Sequence, residues 1–281
     1  MILEQKRTDL KLDYQKLGLT PGVNSPYYKE FILKNDTSAE RHPCIIVCPG
    51  GGYHFTADRE AEPIALQFVA TGFSAFILHY SVTPARFPCS LIELCYLIKH
   101  VREHAEEYQI DPKRIAVIGF SAGGHLTASL GAYWNNPEIQ ALLDIENDEN
   151  KPNGLILSYP VITGGEKAHK GSVKNLMGED YTEQDVMTFS IENHVTEHFP
   201  KSFIWHTASD AGVPVENSLY LAAELAKHKV PFELKIYPYG PHGISLANEL
   251  TYEQKEQLIV PRAQSWIREA ISFLKEVAFC E

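Results

Sequence analysis

Residues 114–126 read RIAVIGFSAGGHL, and this stretch decides the fold. The apolar run at 115–118 is typical of a buried parallel strand, and the small residues that follow the GFSAG motif at 119–123 favour a helix. A strand that passes directly into a helix needs a tight turn, for which the two glycines leave space. The stretch therefore predicts a nucleophile elbow. Ser121 would stand at the start of the helix, where partial positive charge favours a developing oxyanion.

The motif G-x-S-x-G is weak by itself, because it specifies few positions and recurs by chance. An ordinary tight turn between a strand and a helix is therefore the alternative interpretation. The flanking sequence favours the elbow, since an apolar run precedes it and no proline follows Gly124 before residue 134.

Composition limits the class of protein. The chain of 281 residues is 44% hydrophobic and contains no linker-like stretch, so we expect residues 1–281 to form one domain. The formal net charge of −11 and the lack of a Lys/Arg cluster argue against a nucleic-acid partner. No stretch approaches the roughly 20 apolar residues of a membrane span, and no apolar run follows the N-terminal charges. We therefore expect a cytoplasmic protein.

The cysteines favour packing over chemistry. They are odd in number and show no paired metal-ligand spacing. We expect all five to be reduced packing residues and expect no metal site. They are Cys44, Cys48, Cys89, Cys95 and Cys280.

From residue 43 onward, apolar runs of strand length alternate with helical patterns. This alternation is typical of an α/β fold in which a mostly parallel central sheet carries helices on both faces. Charged Glu233 and Lys235 place the last strand near the sheet edge, and 27–33 is predicted as an antiparallel first strand. We predict strands at 44–48, 75–79, 115–119, 154–158, 202–206 and 232–237, helices at 60–70, 91–107, 122–134 and 215–228, and a terminal helix after residue 261.

Residues 163–200 are too long for a bare connection between two strands. Because this segment follows the strand at 154–158, it would lie over the edge of the sheet where open α/β sheets bind ligands. We predict a small cap insertion here. Its apolar side chains Leu176, Met177, Met187 and Phe189 either line a substrate pocket or only pack the cap onto the body.

An elbow serine is a poor nucleophile at neutral pH, so it needs a base and an acid that orients the base. Among twelve histidines, His242 is the best candidate because its loop, GPHG at 240–243, follows the last predicted strand. The alternative is a histidine that merely packs in a Gly/Pro-rich turn. His125 is expected to brace the elbow instead, while His206 in a strand and His54 after the glycines are weaker candidates.

Asp210 is the candidate orienting acid. It follows the strand at 202–206 in a loop at the same sheet edge, although an Asp in a loop is often only a turn residue. The chain order Ser121, Asp210, His242 matches the order in which a hydrolase sheet supplies nucleophile, acid and base. Asp180 and Asp185 in the predicted cap fit less well, as do the carboxylates of the acidic run 144–148.

The glycines at 50–52 follow the first predicted parallel strand and suggest an oxyanion hole. Glycine lets backbone N–H groups turn inward without a Cβ in the way of a substrate. We expect donors from Gly51 and Gly52, together with the N–H of Ala122 behind the nucleophile. A phosphate-binding loop is the rival reading, but neither G-K-[ST] nor G-x-G-x-x-G is present here.

With these elements in order, the chain resembles the α/β-hydrolase superfamily, within it the compact serine carboxylesterases of the acetyl-xylan-esterase/feruloyl-esterase-like and hormone-sensitive-lipase-like groups. The resemblance covers 43–247 and rests on PGGGY at 49–53, DP at 111–112, GFSAGGH at 119–125, Asp210 with VP at 213–214, and GPHG at 240–243. The hormone-sensitive-lipase-like group carries His before its three glycines. Pro49 stands there in this chain, which favours the acetyl-ester-type relatives.

The resemblance implies an α/β-hydrolase fold and hydrolysis of a small acyl ester, for instance an acetylated sugar or xylo-oligosaccharide. Ser121, His242 and Asp210 would act through an acyl-enzyme without a metal or organic cofactor. The expected partner is a small-molecule ester, while the sequence leaves the oligomeric state open. An amide or formamide hydrolase with the same triad is one alternative, and a non-catalytic binding module with a hydrolase scaffold is another.

Overall fold

The structure is a computed structural model that describes residues 2–35 and 41–280. Within these residues it contains one eight-stranded sheet, whose strands lie in the order β1-β2-β4-β3-β5-β6-β7-β8. The strands are β1 (Ile2–Asp9), β2 (Tyr27–Lys34), β3 (His42–Cys48), β4 (Ser74–His79), β5 (Ile110–Phe120), β6 (Gly154–Ser158), β7 (Ser202–Thr207) and β8 (Phe232–Tyr237).

The sheet is mostly parallel, as the sequence predicts. β2 pairs antiparallel with both β1 and β4, and the pairings from β4 through β3, β5, β6, β7 and β8 are all parallel. β8 is the edge strand beyond β7, as expected from its charged residues. β1 was not predicted, because its side chains are nearly all exposed and so carry no apolar alternation that a sequence pattern could reveal.

Helices cover both faces of the sheet. Each predicted helix is present with ends shifted by a few residues, and a short helix also forms at 137–142. The helices are α1 (Glu62–Val69), α2 (Cys89–Glu103), α3 (Ala122–Tyr133), α4 (Pro137–Leu142), α5 (Lys170–Met177), α6 (Glu183–Phe189), α7 (Glu216–Lys227) and α8 (Trp266–Phe273).

The strand alternation divides the core into two layers. In β3, Cys44 and Ile46 face the layer covered by α2, α3 and α7, whereas Ile45 and Val47 face the layer covered by α1 and α8. All four of these side chains are fully buried. Because successive side chains of a strand point to opposite faces, a strand buried on both sides reads as a continuous apolar run.

The segment 163–200 carries secondary structure of its own. It contains α5, α6 and a 3-10 turn at Ile191–His194, between β6 and β7. Its two helices begin with side-chain caps, in which His169 accepts from the Ser172 N–H and Thr182 accepts from the Asp185 N–H. These caps satisfy donors that a helix leaves unpaired at its first turn.

Four of the cysteines are free and buried, so the packing role predicted for them agrees with the structure. The fifth, Cys280, is also free but exposed, and the prediction was wrong for it. Across 2–35 and 41–280, none of the helices combines the length and apolarity that crossing a bilayer requires.

A substitution at Leu157 tests the packing at the centre of the sheet, because this side chain is fully buried in β6. We expect Leu157→Ala to lower the free energy of unfolding by about 2–5 kcal/mol, since truncation leaves a cavity among close-packed neighbours. Urea denaturation measures the change. Leu219→Ala, on the exposed side of α7, is the control and should change the value by less than about 0.5 kcal/mol. Equal effects of both variants would contradict the assigned core.

Candidate active site

The turn between β5 and α3 holds Ser121 in a strained conformation. Its backbone angles are φ 52° and ψ −115°, in the left-handed region that side chains other than glycine rarely adopt. A Cβ on Gly119 would lie 2.1 Å from the Gly123 carbonyl oxygen, and a Cβ on Gly123 would lie 2.1 Å from the Cys48 carbonyl oxygen. Both glycines are therefore required by close backbone approach, and the turn has the geometry expected of a nucleophile elbow.

His242 contacts the serine from the loop after β8. The distance from Ser121 Oγ to His242 Nε2 is 2.7 Å, which is a hydrogen bond. The imidazole also packs edge-on against the ring of Tyr159, with centroids 5.2 Å apart. The structure thus brings the predicted base to the predicted nucleophile across 121 residues of chain.

Asp210 contacts the other side of the imidazole. Its Oδ2 lies 2.7 Å from His242 Nδ1, while its Oδ1 accepts from the N–H groups of Gly212 at 2.8 Å and Val213 at 2.9 Å. Burial favours the neutral acid, but hydrogen bonds from His206, His242 and the Val213 N–H outweigh it and hold the pKa of Asp210 well below its usual range. An ionised Asp210 fixes the tautomer in which His242 Nδ1 carries the proton and Nε2 accepts from Ser121.

The other candidate bases lie elsewhere or have other partners. Buried His206 shares its Nε2–H between the Val213 carbonyl at 2.9 Å and Asp210 Oδ2 at 3.3 Å, and its Nδ1 contacts the Ser218 hydroxyl. His54 is exposed next to residues 50–53, which we call the glycine loop. Of the histidines considered, His242 is the one the structure hydrogen-bonds to Ser121.

His125 lies in the first turns of α3, and its side chain bonds to two other segments. Its Nε2 donates to the Phe189 carbonyl at 2.8 Å, so its Nδ1 accepts from the Tyr53 hydroxyl, also at 2.8 Å. Its ring stacks on that of Phe189, with centroids 3.9 Å apart. One buried imidazole on α3 therefore joins the glycine loop, through Tyr53, to the segment 163–200.

The three predicted oxyanion donors lie close to the serine. Gly51 and Gly52 line the same cavity as Ser121, and both have positive φ angles, 130° and 64°. Ala122 is the first residue of α3, directly after Ser121. Among the hydrogen bonds of the described residues, none uses the N–H of Gly51, Gly52 or Ala122. An oxyanion hole requires N–H groups without another partner, and these three groups meet that requirement.

Glu60 supports the glycine loop, and sequence reasoning missed it. This side chain is almost fully buried, and its Oε2 accepts from the Gly50 N–H at 2.8 Å. Its Oε1 accepts from the Tyr159 hydroxyl at 2.7 Å, and that hydroxyl accepts from the Ser245 N–H at 3.0 Å. Nothing in the sequence around Glu60 indicates this role, because folding brings its two partners, Gly50 and Tyr159, to it from other segments.

The cavity above Ser121 has a volume of about 400 Å³, and polar side chains lie among its lining residues. The segment 163–200 supplies His169 and Asn175 to it. His169 accepts at Nδ1 from the Ser172 hydroxyl at 2.8 Å, so its Nε2 carries the proton and is a donor. Burial, reinforced by nearby His242, lowers the pKa of His169 and keeps the ring neutral. Asn175 donates to the Gly52 carbonyl at 2.9 Å and so ties this segment to the glycine loop.

Three of the four apolar side chains named in the segment 163–200 pack against the core. Leu176 and Phe189 are buried in the core, and Met177 packs against it. Met187 is 51% exposed on the surface. None of the four is among the described residues that line the cavity above Ser121. Of the two alternatives that the sequence left open, the structure therefore favours packing for Leu176, Met177 and Phe189.

Within the described residues, no group of three or more His, Cys, Asp or Glu side chains is arranged to hold a metal ion.

Comparison with known proteins gives consistent matches. The BD-FAE family model matches residues 31–225 of the chain. An endo-1,4-beta-xylanase B from Butyrivibrio fibrisolvens is 37% identical over 220 residues, which are 74% of this chain and 33% of that protein. An acetylxylan esterase from Xylanibacter ruminicola is 28% identical over 219 residues, which are 75% of this chain and 43% of that protein. The chain thus spans less than half the length of these curated relatives.

A solved structure matches over nearly the whole chain. The acetyl ester-xyloside bifunctional hydrolase from Caldicellulosiruptor lactoaceticus superposes with a TM-score of 0.82 at 35% identity. The match covers 98% of this chain and 97% of that one.

The buried His125 makes stability depend on pH. Burial lowers the pKa of its imidazole from 6.5 to about 4, so between these values the unfolded chain binds a proton that the folded chain does not. The contribution of His125 is full above pH 6.5 and is lost as the pH falls, by about 3 kcal/mol at about pH 4. We expect His125→Gln to flatten this part of the stability curve, which urea denaturation from pH 4 to 7 measures.

An NMR titration of the His125 ring in the wild-type protein gives a second readout that does not depend on folding of the variant. Parallel pH curves for wild type and His125→Gln, together with a ring that titrates near 6.5, would contradict the assignment.

Proposed function

The chain belongs to the BD-FAE family and has the α/β-hydrolase fold, and on this premise we propose that it is a serine carboxylic-ester hydrolase that acts on short-chain acyl esters. One observation carries the proposal. Ser121 Oγ lies 2.7 Å from His242 Nε2, and His242 Nδ1 lies 2.7 Å from the Asp210 carboxylate. This is the arrangement in which a serine hydroxyl becomes a nucleophile.

The proposed reaction has two halves. Ser121 Oγ attacks the ester carbonyl while its proton passes to His242 Nε2, and the resulting tetrahedral oxyanion accepts from the N–H groups of Gly51, Gly52 and Ala122. The intermediate then collapses, the C–O bond breaks, and the leaving alcohol takes the proton from His242. Water, deprotonated by the same imidazole, attacks the acyl-enzyme. The bond between the acyl carbon and Ser121 Oγ then breaks, His242 returns the proton to Ser121 Oγ, and the acid is released. Asp210 keeps its charge and stabilises the imidazolium throughout.

We propose an acetylated sugar, such as an acetylated xylo-oligosaccharide, as the substrate. Hydroxyl groups of a sugar would find hydrogen-bond partners among the polar side chains of this cavity, including the donor Nε2 of His169. Two of the relatives described above are an acetylxylan esterase and an acetyl ester-xyloside hydrolase, which supports this choice. In this proposal, residues 163–200 act as a small cap that places His169 and Asn175 over the nucleophile.

Removal of the nucleophile tests the proposed reaction. We expect Ser121→Ala to lower kcat for 4-nitrophenyl acetate on the order of 10³-fold or more, because attack at the carbonyl is lost while the donors of the oxyanion hole remain. His242→Ala should cost about as much, and the double variant should lose little more, because the residues act as a unit. Steady-state kinetics on variants with wild-type circular dichroism spectra would measure this.

Two outcomes would contradict the assignment. A folded Ser121→Ala protein with near-wild-type turnover would show that Ser121 is not the nucleophile. Additive losses in the double variant, or a larger kcat loss in His125→Gln than in His242→Ala, would show that the base was misidentified.

Acyl length tests the substrate proposal. Few apolar side chains line the cavity, so each added methylene gains little of the roughly 0.8 kcal/mol that full burial provides. We expect kcat/KM for 4-nitrophenyl esters to be highest for acetyl to butyryl groups and to fall towards octanoate. Met187→Ala is the control, and it should leave this profile unchanged because Met187 lies on the surface. A kcat/KM that rises steadily to octanoate would contradict the short-acyl proposal.

A further inference from the structure

A second cavity lies directly beside the one above Ser121. Its volume is about 270 Å³, and it shares His54 and Phe55 with the catalytic cavity. These two residues follow the glycine loop and form the wall between the cavities. We propose that this second cavity is a subsite for a further sugar unit of the substrate's alcohol part, an inference that rests on the proposed ester hydrolase function.

The lining of the second cavity offers free polar groups. It includes Asn24, Ser25, Tyr27 and His54. Within the part of the chain that the structure describes, the side chains of these four residues make no hydrogen bond. Each therefore has donors or acceptors available for a ligand, and a sugar carries hydroxyl groups that can both donate and accept.

Phe55 adds an apolar surface at the rim. Its side chain is 57% exposed, although large aromatic side chains usually bury most of their surface. A sugar ring presents C–H groups on its face, which pack against an aromatic ring while its hydroxyls reach polar neighbours. An exposed ring beside free polar groups thus matches a carbohydrate better than it matches an acyl chain.

A chain of hydrogen bonds anchors the segment that carries Asn24 and Ser25. The Gly22 N–H donates to the Ser81 hydroxyl at 3.1 Å, and Ser81 in turn donates to the buried carboxylate of Glu93 from its N–H at 2.7 Å and its hydroxyl at 2.5 Å. A site that is already ordered before the ligand binds loses less entropy on binding. The subsite is therefore preorganised.

The polar lining of the second cavity also determines which part of the ester can enter it. The acyl group of a short ester is apolar and small, and the reacting carbonyl must lie at Ser121. Only the alcohol part has both the length and the hydroxyl groups to reach past Phe55 into the second cavity. An ester on a disaccharide can occupy both cavities, whereas an ester on a monosaccharide fills one.

Three esters test the subsite: 4-nitrophenyl acetate, acetylated xylose and acetylated xylobiose. In the wild-type protein we expect kcat/KM to be about tenfold higher for the xylobiose ester than for the xylose ester, mainly through KM. Asn24→Ala and the conservative Tyr27→Phe should each remove much of this preference. Val23→Ala is the matched control, because Val23 lies in the same segment but is 85% exposed and outside the lining.

The outcomes separate the two proposals. If the wild-type protein hydrolyses none of the three esters, the proposed function is contradicted. Hydrolysis with equal kcat/KM for the xylose and xylobiose esters contradicts the subsite, as does an equal proportional loss on all three esters in Asn24→Ala.

Calorimetric titration of the wild-type protein with xylobiose and with xylose measures the subsite without turnover. We expect xylobiose to bind about tenfold more tightly, and Tyr27→Phe to reduce the difference. Equal affinities for the two sugars, or a difference that Asn24→Ala and Tyr27→Phe leave intact, would overturn the inference.

Discussion

The left-handed backbone of Ser121 is the constraint on which the site depends. A non-glycine residue in this conformation costs on the order of 1–3 kcal/mol and persists only when its surroundings hold it there. Here the Ser121 N–H donates to the Ser158 carbonyl at 3.0 Å, and the Val161 N–H donates to the Ser121 carbonyl at 3.0 Å. The pairing of β5 with β6 thus supports the strain, and the hydroxyl is lifted above the sheet edge, where His242 reaches it.

Parallel topology explains why the sequence predicts so much of the site. The strands β5, β7 and β8 all end at one edge, so the residues that follow them meet although up to 121 positions separate them. Apolar runs reveal such strands well, and the predicted bounds of β6 and β8 match the structure. β1 was not predicted, because its side chains are nearly all exposed and show no alternation of apolar and polar residues. It forms through backbone pairing with β2.

The residues around the triad were less predictable, because tertiary approach and not strand order places them. Glu60, His169 and Asn175 belong to segments with no motif, and each reaches the glycine loop or the cavity through one specific contact. Conversely, the apolarity of Met187 and Phe189 was read from the sequence, but apolarity does not tell whether a side chain faces a pocket, the core or solvent. The direction in which a side chain points is set by the packing of the folded chain.

The Glu60 carboxylate has a consequence for protein engineering. It joins the glycine loop to the backbone that follows His242, through Gly50 on one side and Tyr159 on the other. A chimera that imported either loop from a relative would separate the buried Glu60 side chain from its hydrogen-bond partners, and a buried polar group without partners is costly. Recombination between relatives is therefore expected to preserve function only when the glycine loop and the loop that carries His242 are exchanged together.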